Sequence, residues 1–280
     1  MTANEKKQLM ATACKVRMGV IEGTHAAKAG HPGGSLSAAD MFTYLYFKEL
    51  NVDPQNPHWE DRDRFVLSKG HTAPGLYAAL ALRGFFPWED LQTLRQIGSH
   101  LQGHPNMNTT PGVDMSTGSL GQGFSAAVGM ALGAKLAGKA LTVYAVLGDG
   151  EIQEGQIWEA CMYAGAHGLD NLIAIVDSNK VQLDGTVREV LDTGDLQAKF
   201  ESFGFFTQSI DGHDVEAISD AVDRAKAQKG RPSMILANTV KGKGVSFMEG
   251  RSEWHGKTPN AEQFQAAFAE LYARAAELEG

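Results

Sequence analysis

Apolar stretches of strand length recur along the chain, and longer stretches with helical spacing separate most of them. Segments 65–67, 141–147, 172–176, 206–210 and 234–237 read as short buried strands, each bounded by Gly, Asp, Ser or Asn. Segments 119–137, 155–166, 192–203 and 215–228 read as helices, with Asp192 and Asp214 placed to act as N-caps. Alternation of strand and helix implies right-handed crossovers and a mostly parallel sheet covered by helices on both faces. The expected fold is therefore doubly wound α/β. Ligands of such sheets bind beyond the carboxyl ends of the strands. Asp149, Asn179, His213 and Lys241 each follow a predicted strand, which places them on one edge.

Two regions break the alternation. Residues 84–118 are rich in Gly, Pro, Asn, Thr and His, and residues 241–260 form a second excursion before a final helix from about Ala261. Loops this long in a compact domain are usually functional or disordered, and their histidines and lysines favour function. No repeat, low-complexity tract or linker is visible, so a single domain spanning 1–280 is expected.

Composition narrows the field. A net charge of −8 offers no basic footprint for nucleic acid or an anionic membrane surface. No apolar run approaches the roughly 18 residues that a membrane span requires. The two cysteines cannot form a disulfide framework, and the N-terminus lacks the apolar core of a signal peptide, so a reducing, cytoplasmic setting is expected.

The densest chemistry lies between Leu147 and Val181. Asp149 sits in a Gly-Asp-Gly turn after one apolar run, and Asn179 follows the next. Both are also ordinary turn residues. Two oxygen donors at two strand ends, however, suit a hard divalent cation that completes its shell with phosphate oxygens. Glu154 opens the following helix, whose N-terminal amides favour phosphate, although a first-turn acid is commonplace. Gly118-Ser119-Leu120-Gly121-Gln122-Gly123 lets backbone approach a ligand, but it does not fit the dinucleotide fingerprint. His31, His71, His104 and His255 stand beside glycine in non-helical contexts that suit a cleft wall. Zinc is disfavoured, since no pair has helical His-x₃-His spacing and no cysteine adjoins them. Imidazoles suit proton transfer to and from sugar hydroxyls and carbonyls.

Together these blocks resemble the N-terminal, diphosphate-binding domain of transketolases, which are thiamine-diphosphate enzymes. The resemblance runs through Gly30-His31-Pro32-Gly33, Ser68-Lys69-Gly70-His71, Gly103-His104-Pro105, Thr117 to Gly123, Gly148-Asp149-Gly150 with Asn179, Lys241-Gly242-Lys243-Gly244 and Trp254-His255-Gly256-Lys257. It implies that Asp149, Asn179 and the Val181 carbonyl ligate Mg²⁺, Ca²⁺ or Mn²⁺. Gly150, His71, Lys241 and His255 would lie along the diphosphate, and Gly118 and Leu120 beside the aminopyrimidine and thiazolium. His31, His71, His104 and His255 would line the substrate channel, with Lys69 and Lys257 as further phosphate-side candidates.

Glu154 would adjoin a cofactor-activating glutamate that the family carries on a pyrimidine-binding domain. That domain and the C-terminal one are expected on a partner chain, giving an α₂β₂ split transketolase acting on sugars or sugar phosphates. The α chain of a 2-oxoacid dehydrogenase or decarboxylase, a deoxyxylulose-phosphate synthase and a non-catalytic cofactor-binding paralogue are the alternatives. The histidine blocks argue against an acyl substrate, which has no polyol for them to address.

Overall fold

A computed structural model describes all 280 residues. Five parallel strands form the central sheet in the order β1-β2-β3-β7-β6: β1 (Arg64–Leu67), β2 (Val143–Gly148), β3 (Leu172–Ser178), β6 (Phe206–Asp211) and β7 (Ser233–Asn238). The other two strands, β4 (Val181–Gln182) and β5 (Gly185–Thr186), form a small antiparallel hairpin at the end of β3. Before the sheet come helices α1 (Ala3–Ala27), α2 (Pro32–Ser37) and α3 (Ala39–Tyr44), with α4 (Ala73–Arg83) after β1. The remaining helices are α5 (Gln122–Leu136), α6 (Gly155–Ala166), α7 (Val187–Leu191), α8 (Leu196–Ser202), α9 (Val215–Lys226) and α10 (Ala261–Glu279).

Period-two alternation divides each central strand between two cores. Tyr144 and Val146 of β2, with Ile173 and Ile175 of β3, face α3, α4 and α9. Val143, Ala145 and Leu147, with Leu172, Ala174 and Val176, face α5, α6 and Phe200 of α8. Such strands, apolar on both faces, are what a sheet covered on both sides requires. A third core joins α1 to α10 and takes in Leu36, Val245, Met248 and Trp254, which anchors the 241–260 excursion on the body of the protein.

All five strands read from the sequence are present, and all are parallel. Helix boundaries differ more. Segment 192–203 is not one helix: Asp192 lies at the carboxyl end of α7, and α8 begins only at Leu196. The N-cap of α8 is Asp195, whose side chain accepts the Ala198 N–H at 3.0 Å. Asp214 does cap α9, accepting the Glu216 N–H at 3.1 Å. Segment 84–118 is mostly turns around a short 3₁₀ helix, Trp88–Thr93.

Candidate active site

Four strand ends converge on one cavity of about 460 Å³. The turn after β1 brings Lys69 and His71, the turn after β2 brings Asp149 and Gly150, β3 leads to Asn179 and Val181, and β7 leads to Lys241. Gly118, Leu120 and Glu154 line the same cavity, as do His31 and His255. His104 is not among the lining residues; its ring lies 6.5 Å from that of His31 and beside Gly118. Lys257 is not among the lining residues; its ammonium lies 4.8 Å from the centre of the Trp254 ring.

Buried carboxylates organise the floor. Glu151 accepts from Ser68 Oγ at 2.5 Å, from the Gly121 N–H at 2.9 Å and from the Gly148 N–H at 3.0 Å. One side chain thus ties the ends of β1 and β2 to the glycine loop. Asp177 is fully buried and accepts from Lys69 Nζ, from Ser37 Oγ at 2.6 Å, from Thr239 Oγ1 and from Asn179 Nδ2 at 3.2 Å. Burial alone would raise its pKa, but the Lys69 ammonium and the hydroxyl donors outweigh that and hold it below the usual carboxylate range. Because Asp177 can only accept, it fixes the Asn179 amide with Nδ2 toward the floor. Asn179 Oδ1 then accepts the Val181 N–H at 3.1 Å.

Asp149 is buried too, but it lacks a counterion. Its oxygens accept the Lys180 N–H at 2.5 Å and the Gly150 N–H at 2.9 Å, yet no cationic side chain pairs with it. Burial, and then the charge of Asp177, push its pKa up to about 6. A buried carboxylate raised in this way is chemically suited to a cation. Lys241 Nζ donates to the Val181 carbonyl at 2.9 Å and to His255 Nδ1 at 3.0 Å. A positive group therefore already complements that carbonyl, while burial and the nearby Lys69 charge lower the Lys241 pKa to about 8. No group of three or more His, Cys, Asp or Glu side chains could hold a metal; the donor set here is one carboxylate, one carboxamide and one carbonyl. That mixture is the hard-oxygen set of a magnesium or calcium site.

The histidines cluster above it. Ring centroids of His31 lie 5.2 Å from His71 and 5.4 Å from His255, and His71 stacks on His255 at 5.1 Å. Burial, followed by the charge of Arg95 and its neighbours, lowers His31 to about 4; burial and Lys241 lower His255 to about 3. His71 and His104 are lowered as well, first by burial. All four are neutral imidazoles at neutral pH. Since His255 Nδ1 accepts from Lys241, its proton lies on Nε2. Trp254 seats this residue: a Cβ on Gly33 would come within 2.7 Å of the Trp254 carbonyl, so only glycine lets the segment lie beside His31.

Among the lining residues, two buried polar atoms stand without hydrogen-bond partners, His31 Nδ1 and Gln182 Oε1. Gln182 covers Gly150 so closely that a Cβ there would meet Oε1 at 2.8 Å. Asp177, Glu151, Gln182, Gln153 and Leu183 complete a site that sequence reasoning left without them. Glu151 had a signal, its place directly after Gly-Asp-Gly. Ser37 and Thr239 had none, being 140 and 62 residues from Asp177 in the chain.

The family model for the transketolase thiamine diphosphate-binding domain matches residues 7–273. The chain belongs to the transketolase family. Among its transketolase relatives is a 6-deoxy-6-sulfo-D-fructose transketolase subunit from Clostridium sp. (strain MSTE9), 53% identical over 86% of this chain and 88% of that one. One of the subunits of an apulose-4-phosphate transketolase from Actinobacillus succinogenes is 41% identical over 90% of this chain and 91% of its own. The solved transketolase of Campylobacter jejuni superposes with a TM-score of 0.88 at 36% identity, covering 96% of this chain. The chain spans 45% of that solved transketolase.

Proposed function

We propose that this chain is the diphosphate-binding subunit of a split transketolase, moving a two-carbon ketol unit from an acidic ketose donor to an aldose acceptor. The observation that carries the reading is the joining of Asp149, Asn179 and Val181 with the neutral His31, His71 and His255 around one cavity, His104 standing beside His31, in a transketolase-family fold. The matched relatives called subunits are covered over most of their length, which supports a partner chain; the pyrimidine and C-terminal domains on that chain and an α₂β₂ assembly are part of the proposal. Two free, buried cysteines accord with a cytoplasmic setting.

The residues fit thiamine diphosphate with Mg²⁺ on three grounds: the raised carboxylate of Asp149, the mixed oxygen donors and the glycine-lined cradle under Gln182. Asp149, Asn179 and the Val181 carbonyl would hold the metal. Gly150, His71, Lys241 and His255 would line the diphosphate, and Gly118, Leu120 and Glu154 the ring portion. When bound, thiamine diphosphate would supply a nucleophilic carbon and an electron sink for the ketol group.

The chain's part is to bind, orient and move protons. Lys241 neutralises phosphate charge, and Asp177 keeps Asn179 Oδ1 turned toward the cation. His31 Nδ1, without a partner inside the protein, keeps hydrogen-bonding capacity for a bound ligand. His255 offers its Nε2 proton to a carbonyl oxygen. Depressed basicity keeps these rings uncharged at neutral pH, so each presents one hydrogen-bond acceptor and one donor to the substrate.

The relative acting on 6-deoxy-6-sulfo-D-fructose and the one acting on apulose-4-phosphate both bear, by name, substrates with a strongly acidic group. That class is proposed for this chain. The test mixes the chain with its partner subunit, thiamine diphosphate and Mg²⁺. Ketol transfer requiring both chains is expected; transfer by this chain alone would refute the split-subunit reading. Asp149→Ala should weaken cofactor binding more than about 100-fold, beyond the usual cost of losing a group behind the ligands. Unchanged affinity by calorimetry would overturn the metal assignment.

A further inference from the structure

One buried charged network lies behind the cavity, where α1, α3 and the turn after β6 meet. The Arg17 guanidinium donates to both oxygens of Asp40, at 3.2 and 2.5 Å, and through Nε to the Leu36 carbonyl at 3.2 Å. His213 Nδ1 lies 2.7 Å from Asp40 Oδ2, and His213 Nε2 accepts the Val240 N–H at 2.9 Å. Acceptance at Nε2 places the ring proton on Nδ1, which donates to Asp40. The side chains of Arg17, Asp40 and His213 are only 6%, 7% and 15% exposed, so water does not compete for these bonds.

The position of Val240 gives the network its meaning. The Thr239 N–H makes the last rung from β7 to β3, bonding the Ser178 carbonyl at 3.2 Å. Val240 follows it beyond the sheet, with His213 as the acceptor for its N–H, and Lys241 comes next. His213 reaches this amide because Gly212 lies flat against the end of β7. A Cβ on Gly212 would meet Thr239 Cγ2 at 2.5 Å and Ala237 Cβ at 2.9 Å. An ion pair that merely tied α1 to α3 would need no imidazole between it and a backbone amide.

We propose that His213, oriented by Asp40 and Arg17, is a positioning residue that sets the Lys241 ammonium over the Val181 carbonyl by fixing the Val240 N–H. The inference rests on the reading that Lys241 meets the cofactor diphosphate. His213→Phe should weaken binding of Mg²⁺ and thiamine diphosphate to the assembled protein by about 10- to 100-fold, the range for a partner standing behind a ligand. His213→Gln should recover most of that loss, because its Oε1 can stand where Nε2 accepted. In a Lys241→Met background, His213→Phe should add about twofold or less, since the two changes then remove one interaction.

Penalties that simply add would overturn the proposal, because a purely structural role predicts independence from Lys241. A ¹⁵N-histidine spectrum of the wild-type chain decides the geometry without any variant. Unprotonated Nε2 with protonated Nδ1 is expected for His213, and the opposite tautomer would refute the clamp. Failure of the wild-type assembly to bind the cofactor would instead sink the functional reading, leaving the spectrum to judge the clamp.

Discussion

Asp177 and Lys69 form an ion pair on the cavity floor, with their side chains 0% and 2% exposed. Removing either partner leaves an uncompensated charge in a dry setting, which costs about 3–5 kcal/mol. Lys69→Met should therefore lower the urea unfolding free energy by that amount, and an unchanged midpoint would show that the charge finds solvent. Asp177→Asn should do more. It frees the Asn179 amide to turn over, so Mg²⁺ affinity should also fall about 10- to 100-fold by calorimetry. His31 carries a pH prediction. Its pKa drops from 6.5 unfolded to about 4 folded, so the unfolded chain binds more protons between those values. The stability it permits is complete above pH 6.5 and is lost as pH falls toward 4. His31→Asn should flatten the dependence of Tm on pH across that window, and an identical slope in the variant would rule the imidazole out as its source.

At the scale of elements, β-strands were legible and helix ends were not. Apolar runs such as 172–176 announce themselves because a strand buried on both faces has no room for polar residues, whereas β6, at the sheet edge, keeps Thr207, Gln208 and Ser209. The break between α7 and α8 was hidden. Asp192 and Asp195 are equally good caps by composition, and only the Asp195 contact with the Ala198 N–H distinguishes them. The site shows the same division. Asp149, Asn179 and Lys241 could be placed because each follows a strand. Asp177 could not, since its partners Ser37, Lys69 and Thr239 meet it only through tertiary packing. Packing between elements is equally invisible at Gly165 of α6, where a Cβ would overlap the Phe203 carbonyl at the end of α8. Gly165→Ala should force the two helices apart and cost about 1–3 kcal/mol. Urea unfolding measures this directly, and a loss below about 0.5 kcal/mol would mean that the junction yields without strain.

Several of the molecule's exposed apolar side chains stand on α5 and α6, which pack against each other. On α5, Gly129 and Gly133 open onto free space and Leu136 is 80% exposed; on α6, Met162 is 61% and Tyr163 44% exposed. Leu120, 36% exposed, continues this surface into the cavity wall, and Glu154 stands exposed beside it at the start of α6. Exposed apolar surface of this kind would suit the proposed partner chain. Small residues on the outer side of α5 let another helix approach closely, and a typical stable interface buries about 1,600 Å². A partner seated here would place its own groups at the open, ring-facing end of the cavity, where this chain offers only Gly118, Leu120 and Glu154. Met162→Asp should therefore abolish co-elution with the partner chain while leaving the isolated protein within about 0.5 kcal/mol of its original stability. Gly133→Leu should act the same way by bulk rather than charge. Retention of the complex by both variants would move the partner to another face and remove the proposed route by which a second chain completes the active site.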